Sequence, residues 1–257
     1  MNGAALLASG PSPLWYATRA GGTVSLVLLT ATVALGIAAA GRYAPVRLGR
    51  FEVSALHRNL SLLTLAFLAL HIVTAIADSY AHLTWPTAFV PFIGSYRPLW
   101  VGLGAVALDL LLAVALTSAI RGRLGHRRWK AVHWLAYAAW PVALFHGAGT
   151  GTDTRLSPQL ALYAACLLTV TAAVWWRLVR AGTRAAPVRR WVTAALLLVP
   201  ATLVAFLAVG PLRPGWAHRA GGAAPTPVPA TAPAVPHQSP TPQQPTQEDE
   251  HEGDDGE

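Results

Sequence analysis

The sequence predicts an all-α integral membrane protein, a six-helix transmembrane bundle with a disordered C-terminal tail. Three observations predict it. Of 257 residues, 54% are hydrophobic and 12% are charged, about half the charged share of a soluble domain. Six apolar runs, near 21–40, 55–77, 99–120, 130–148, 159–179 and 191–210, are long enough to span a bilayer. The segments joining those runs are alternately rich and poor in Lys and Arg.

Taken in order, residues 1–18 are expected to be a short extracytoplasmic segment. No basic residue precedes Arg19 and no clean cleavage pattern is present, so a removable signal peptide is not expected. Residues 19–180 hold the first five runs, the core of the protein, and residues 181–210 a basic loop and the sixth run. Between runs 1 and 2, 3 and 4, and 5 and 6 lie fourteen of the nineteen Lys and Arg residues: Arg42, Arg47, Arg50 and Arg58; Arg121, Arg123, Arg127, Arg128 and Lys130; Arg177, Arg180, Arg184, Arg189 and Arg190. The opposite side holds Arg19, Arg97, Arg155, Arg213 and Arg219. The positive-inside rule then puts both termini outside the cytoplasm. Residues 211–257 carry ten of the twenty prolines and end in EDEHEGDDGE. Such a tail lacks the apolar surface to fold and is expected to be disordered and extracytoplasmic.

Composition also excludes. Seven of the eleven acidic residues lie between Glu248 and Glu257, so the basic excess belongs to the membrane part. It reads as topology and contact with membrane lipid headgroups, not as nucleic-acid binding. A single cysteine, Cys166, rules out an intramolecular disulfide or a Cys-based cluster. No G-x-G-x-x-G unit or Walker loop occurs, so no NAD(P)H site is expected in this chain.

The chemistry concentrates in four histidines. His57 and His71 lie fourteen positions apart on run 2, and His133 and His146 thirteen apart on run 4. Each pair spans roughly 20 Å of helix, most of the roughly 30 Å hydrocarbon core. Both runs point outward from the cytoplasm, which places His57 with His133 near the inner face and His71 with His146 near the outer one. Two metal centres stacked across the membrane would follow, and with them an electron path. Intramembrane ionisable residues are rare and usually functional; the plainer reading is four structurally packed rings. Helix phase favours His57 and His71 sharing a face, but leaves His133 and His146 about 140° apart on an ideal helix. A distortion at Pro141 is therefore expected, and a straight regular helix through it would count against the two-centre arrangement.

The stretches RFEVSALHRNLSLLTLAFLALHIVTAIAD and RPLWVGLGAVALDLLLAVALTSAIRGRLGHRRWKAVHWLAYAAWPVALFHGAGTGTD resemble the ferric reductase-like transmembrane domain. That family includes ferric reductases, NADPH oxidases and the haem subunit of bacterial periplasmic methionine sulfoxide reductase. The resemblance covers roughly residues 15–180. It implies two b-type haems, an inner one ligated by His57 and His133 and an outer one by His71 and His146. Larger members carry a cytoplasmic FAD/NADPH module after the core, where this chain continues into a basic loop and a sixth helix. A separate electron-donor reductase, with its flavin, or the membrane quinol pool is implied, together with an extracytoplasmic electron acceptor such as ferric iron, a partner protein or oxygen.

Arg58 beside His57 is a candidate for an inner haem propionate, because Arg binds carboxylates bidentately; Arg97 and Arg19 are candidates at the outer one. All three also read as charge markers or snorkelling anchors. His82 reads as a surface loop residue or an alternative outer ligand, and His126 as part of a solvated basic loop. Asp109, mid-run, is expected to face inward, with a second-shell role open to it. Phe67, Trp134, Tyr137, Trp140 and Phe145 suit porphyrin contact, core or membrane interface. Two other function classes compete: a proton or ion transporter relaying through the histidines and Asp109, and a non-catalytic membrane anchor. The acidic tail end reads as solvated disorder, with cation collection as the alternative.

Overall fold

A computed structural model describes residues 12–40, 50–79, 81–181 and 186–216. Most of the expected tail, residues 217–257, lies outside the described residues, as do Arg42, Arg47, Arg184 and Arg219. Among the described residues every regular element is a helix. The order is α1 (Pro13–Ala40), α2 (Arg50–Ala77), the short α3 (Trp85–Phe89), α4 (Pro98–Ala119), α5 (Arg121–Leu124), α6 (His126–His133), α7 (Leu135–Thr150), a 3-10 turn (Thr152–Arg155), α8 (Ser157–Ala181) and α9 (Ala186–Val209).

Local chemistry sets the ends. Ser12 caps α1 by accepting the Trp15 N–H at 3.0 Å, and Pro13 and Pro98 occupy first-turn positions where a missing N–H costs nothing. Helix α1 starts well before run 1, taking in residues 13–18 of the expected N-terminal segment. Gly125, at φ 77°, separates α5 from α6.

Five helices, α1, α2, α4, α8 and α9, are long and apolar enough to cross a membrane, and the chain is a multi-pass membrane protein. The fourth run differs from expectation. It is interrupted at Trp134 rather than at Pro141, and α7 is a 16-residue helix that continues through Pro141. At the interruption the Tyr137 N–H bonds the Trp134 carbonyl at 3.0 Å, a tightened three-residue turn. The physical reason lies in composition: HRRWK is a surface sequence and LAYAAW a membrane one, and the chain changes environment between them.

Two antiparallel pairs, α1 with α2 and α4 with α7, form the frame, and α1 also packs on α7 and α8. Leu26, Leu29, Val33 and Ile37 of α1 meet Trp140, Leu144 and Ala148 of α7 and Tyr163, Cys166 and Val170 of α8 in one core, closed by Leu203 of α9. The Trp140 indole N–H donates to Thr30 Oγ1 at 2.9 Å within it. Leucines point outward elsewhere: Leu62, Leu63 and Leu70 on α2, Leu168 on α8, Leu197 and Leu198 on α9. Water would not tolerate so large an apolar surface, whereas lipid is a solvent for it.

Candidate metal centres

Sequence pairing and spatial pairing coincide at the four histidines. The ring centroids of His57 and His133 stand 6.3 Å apart with planes at 70°. Those of His71 and His146 also stand 6.3 Å apart, with planes at 73°. One metal ion midway between two imidazole nitrogens, at about 2 Å from each, would put the centroids about 6 Å apart. Helix α2 contributes one ring to each pair; α6 and α7 contribute the others.

Three rings are held by one recurring device. His71 Nδ1 lies 2.7 Å from the Thr18 carbonyl, His57 Nδ1 3.0 Å from the Thr32 carbonyl, and His146 Nδ1 2.7 Å from the Trp100 carbonyl. A carbonyl only accepts, so each Nδ1 carries the hydrogen and donates, leaving the Nε2 lone pair for a metal. Four residues beyond each carbonyl stands a glycine: Gly22, Gly36 and Gly104. A Cβ at these positions would come within 3.0 Å of His71 Cε1, 3.1 Å of His57 Cε1 and 2.6 Å of His146 Cε1. A helical carbonyl already accepts the N–H four residues on but has a second lone pair. Glycine opens the side from which the imidazole reaches it. Sequence reasoning missed these glycines, although a signal was present: Gly22 and Gly36 repeat the fourteen-residue step of His57 and His71.

His133 departs from the pattern. Its Nδ1 is buried and makes no hydrogen bond to the protein. The Trp129 ring stacks on it at 5.0 Å and 28°, and the Trp129 indole N–H donates to Ser118 Oγ at 3.2 Å.

Two protein ligands per site suit some metal groups and not others. No cluster of three or more His, Cys, Asp or Glu occurs among the described residues, whereas a bare zinc site takes three or four protein ligands. A metal that arrives with an equatorial macrocycle would need only two imidazoles, as many as each pair offers.

Residues 21–144 match a family model described as a ferric reductase-like transmembrane component. Over those residues the chain is similar to ferric reductase-like transmembrane components. The protein-methionine-sulfoxide reductase heme-binding subunit MsrQ of Ralstonia nicotianae is 29% identical over 171 residues, covering 65% of this chain and 74% of that protein. No solved structure matches.

Around the two pairs the arginines divide. Arg58 is exposed beside His57. Arg19 forms an ion pair with Asp153 and its guanidinium lies 4.0 Å above the Trp15 ring. Arg97 is buried, in the left-handed region at φ 43°. Its Nη1 donates to the Gly149 and Thr150 carbonyls at 3.2 and 2.8 Å, closing the end of α7. His82 is an exposed turn residue and His126 an exposed residue stacked near Trp129. Among the aromatics, Trp140 belongs to the core and Phe145 packs on Phe206. Trp134 and Tyr137 are exposed, and Phe67 is half-buried on α2. Asp109 is half-buried on α4.

Proposed function

We propose that this protein is a membrane b-type cytochrome with two haems, carrying electrons from a cytoplasmic or quinol donor to an acceptor outside. The observation that carries this reading is the identical 6.3 Å spacing of two imidazole pairs, set about 20 Å apart along α2. His57 and His133 would hold the inner haem, and His71 and His146 the outer. Haem supplies one-electron chemistry at its iron; the protein supplies ligands, orientation and exclusion of water. With two imidazoles available at each site, the haems would serve electron transfer. The similarity to a relative named as a heme-binding subunit supports the same cofactor.

On this reading α6 and α7 together make the sixth crossing, and the basic α5–α6 face lies on the cytoplasmic side. Arg58 serves an inner propionate. Arg19, held by Asp153 at the outer end, and Arg97, clamped on α7, orient the outer site's surroundings. The donor and the acceptor, ferric iron or a redox partner protein, are separate molecules. A proton relay is disfavoured because three of the rings donate to backbone carbonyls, which cannot pass a proton onward.

The test is the visible spectrum of the full chain purified from haem-replete cells. Two haems per chain with a sharp Soret band and reduced α-band are expected, and the double replacement His71→Ala, His146→Ala should remove about half. A colourless preparation would overturn the reading.

A further inference from the structure

The device that anchors His57, His71 and His146 joins the carbonyl of residue i to a glycine at i+4: Thr18 with Gly22, Thr32 with Gly36, Trp100 with Gly104. In α1 the two copies are fourteen residues apart, matching the histidine spacing on the facing helix. The histidines facing α4 are thirteen residues apart; that step from Trp100 and Gly104 arrives at Ala113 and Thr117, a fourteen-residue step arrives at Val114 and Ser118, and neither meets a glycine. Ser118 lies at the His133 end of α4, because its hydroxyl accepts the indole N–H of Trp129, and Trp129 stacks on His133. The fourth copy is thus missing its glycine. The Ala113 and Val114 carbonyls receive the Thr117 hydroxyl instead, at 2.6 and 3.2 Å. The buried, unpartnered Nδ1 of His133 is the consequence. The chain is also interrupted at the next residue, Trp134, so a continuous helix does not brace this ring from its C-terminal side.

Resting on the two-haem reading, we propose that His133 is the releasable ligand, and that the inner centre binds a small uncharged diatomic molecule in its place. A second-shell acceptor raises imidazole basicity and fixes the ring, and losing one typically costs 10–100-fold in metal affinity. Three ligands have that support, and His133 has only the stacked face of Trp129. The outer centre, anchored on both sides, stays closed.

Carbon monoxide is the probe, added to the dithionite-reduced full-chain protein and read as a difference spectrum. The expected result is an adduct on about half the haem. It persists in the His71→Ala, His146→Ala variant, and Trp129→Ala, which removes the ring stacked on His133, strengthens its formation. Should Trp129→Ala fail to fold, Ser118→Ala, which removes the acceptor of the Trp129 indole N–H, should act in the same direction. Haem-replete protein that forms no adduct, or forms it only at the outer haem, overturns the proposal while leaving the two-haem reading intact. Protein without haem overturns the two-haem reading itself.

Discussion

An imidazole that offers Nε2 to a metal must dispose of its Nδ1 hydrogen, and the membrane interior has no water to receive it. The second lone pair of a helix carbonyl is the acceptor at hand, and glycine four residues on is what makes it reachable. That makes Gly104 a sharper probe of the outer centre than any residue touching it through a long side chain. In Gly104→Ala the new Cβ would stand 2.6 Å from Cε1 and 2.7 Å from Nδ1 of His146. The ring must move, and its bond to the Trp100 carbonyl goes with it. About half the haem should be lost or turned high-spin, with a stability loss of about 1–3 kcal/mol from overpacking. Gly122→Ala, whose Cβ would meet nothing within 4 Å, is the control and should leave the spectrum unchanged. Equal spectra for the two variants would show that the glycine does not hold the ring's place.

Helix α7 shows what a sequence discloses about an element and what it conceals. Its apolar run, its two flanking histidines and Pro141 are all visible in the chain, and proline is the natural place to expect a break. Proline removes only one backbone hydrogen bond, here that of the Tyr137 carbonyl, and a helix packed on α1 and α4 tolerates the loss. The actual interruption, at Trp134, lies where the chain leaves a basic surface stretch, a shift of composition with no breaker residue to mark it. The spatial pairing of the histidines was legible because the lysine and arginine distribution gives runs 2 and 4 a common direction independently of the histidines. The carbonyl and glycine device was not, because it depends on which turn of α1 or α4 faces each ring. The far end of α7 depends on Arg97, which also reads as an anchor until its contacts with Gly149 and Thr150 are seen. Arg97→Ala should cost about 1.5–3 kcal/mol, the range for hydrogen bonds to a charged group. Thermal unfolding followed at the Soret band should show the outer haem leaving first, since His146 sits one turn from the released carbonyls. Simultaneous loss of both haems would mean that Arg97 supports the whole bundle instead.

On the two-haem reading, the two imidazole pairs would together move one charge through an electric field. They are separated by about 20 Å along the helices, two thirds of a hydrocarbon core of roughly 30 Å. A full crossing of one charge is worth about 2.3 kcal/mol per 100 mV. The step between the centres should therefore respond by about 1.5 kcal/mol, close to tenfold in the distribution of one electron per 100 mV. The sign follows from orientation: with the basic α5–α6 face inside, a potential positive outside draws the electron to the His71–His146 centre. Proteoliposomes carrying half-reduced protein and an imposed potassium diffusion potential would measure this. The two haems can be told apart with the His71→Ala, His146→Ala variant, whose remaining spectrum is that of the inner haem alone. A reversed potential should move the electron back. A distribution indifferent to the potential would place both centres at the same depth, and the protein would then carry electrons along the membrane rather than across it.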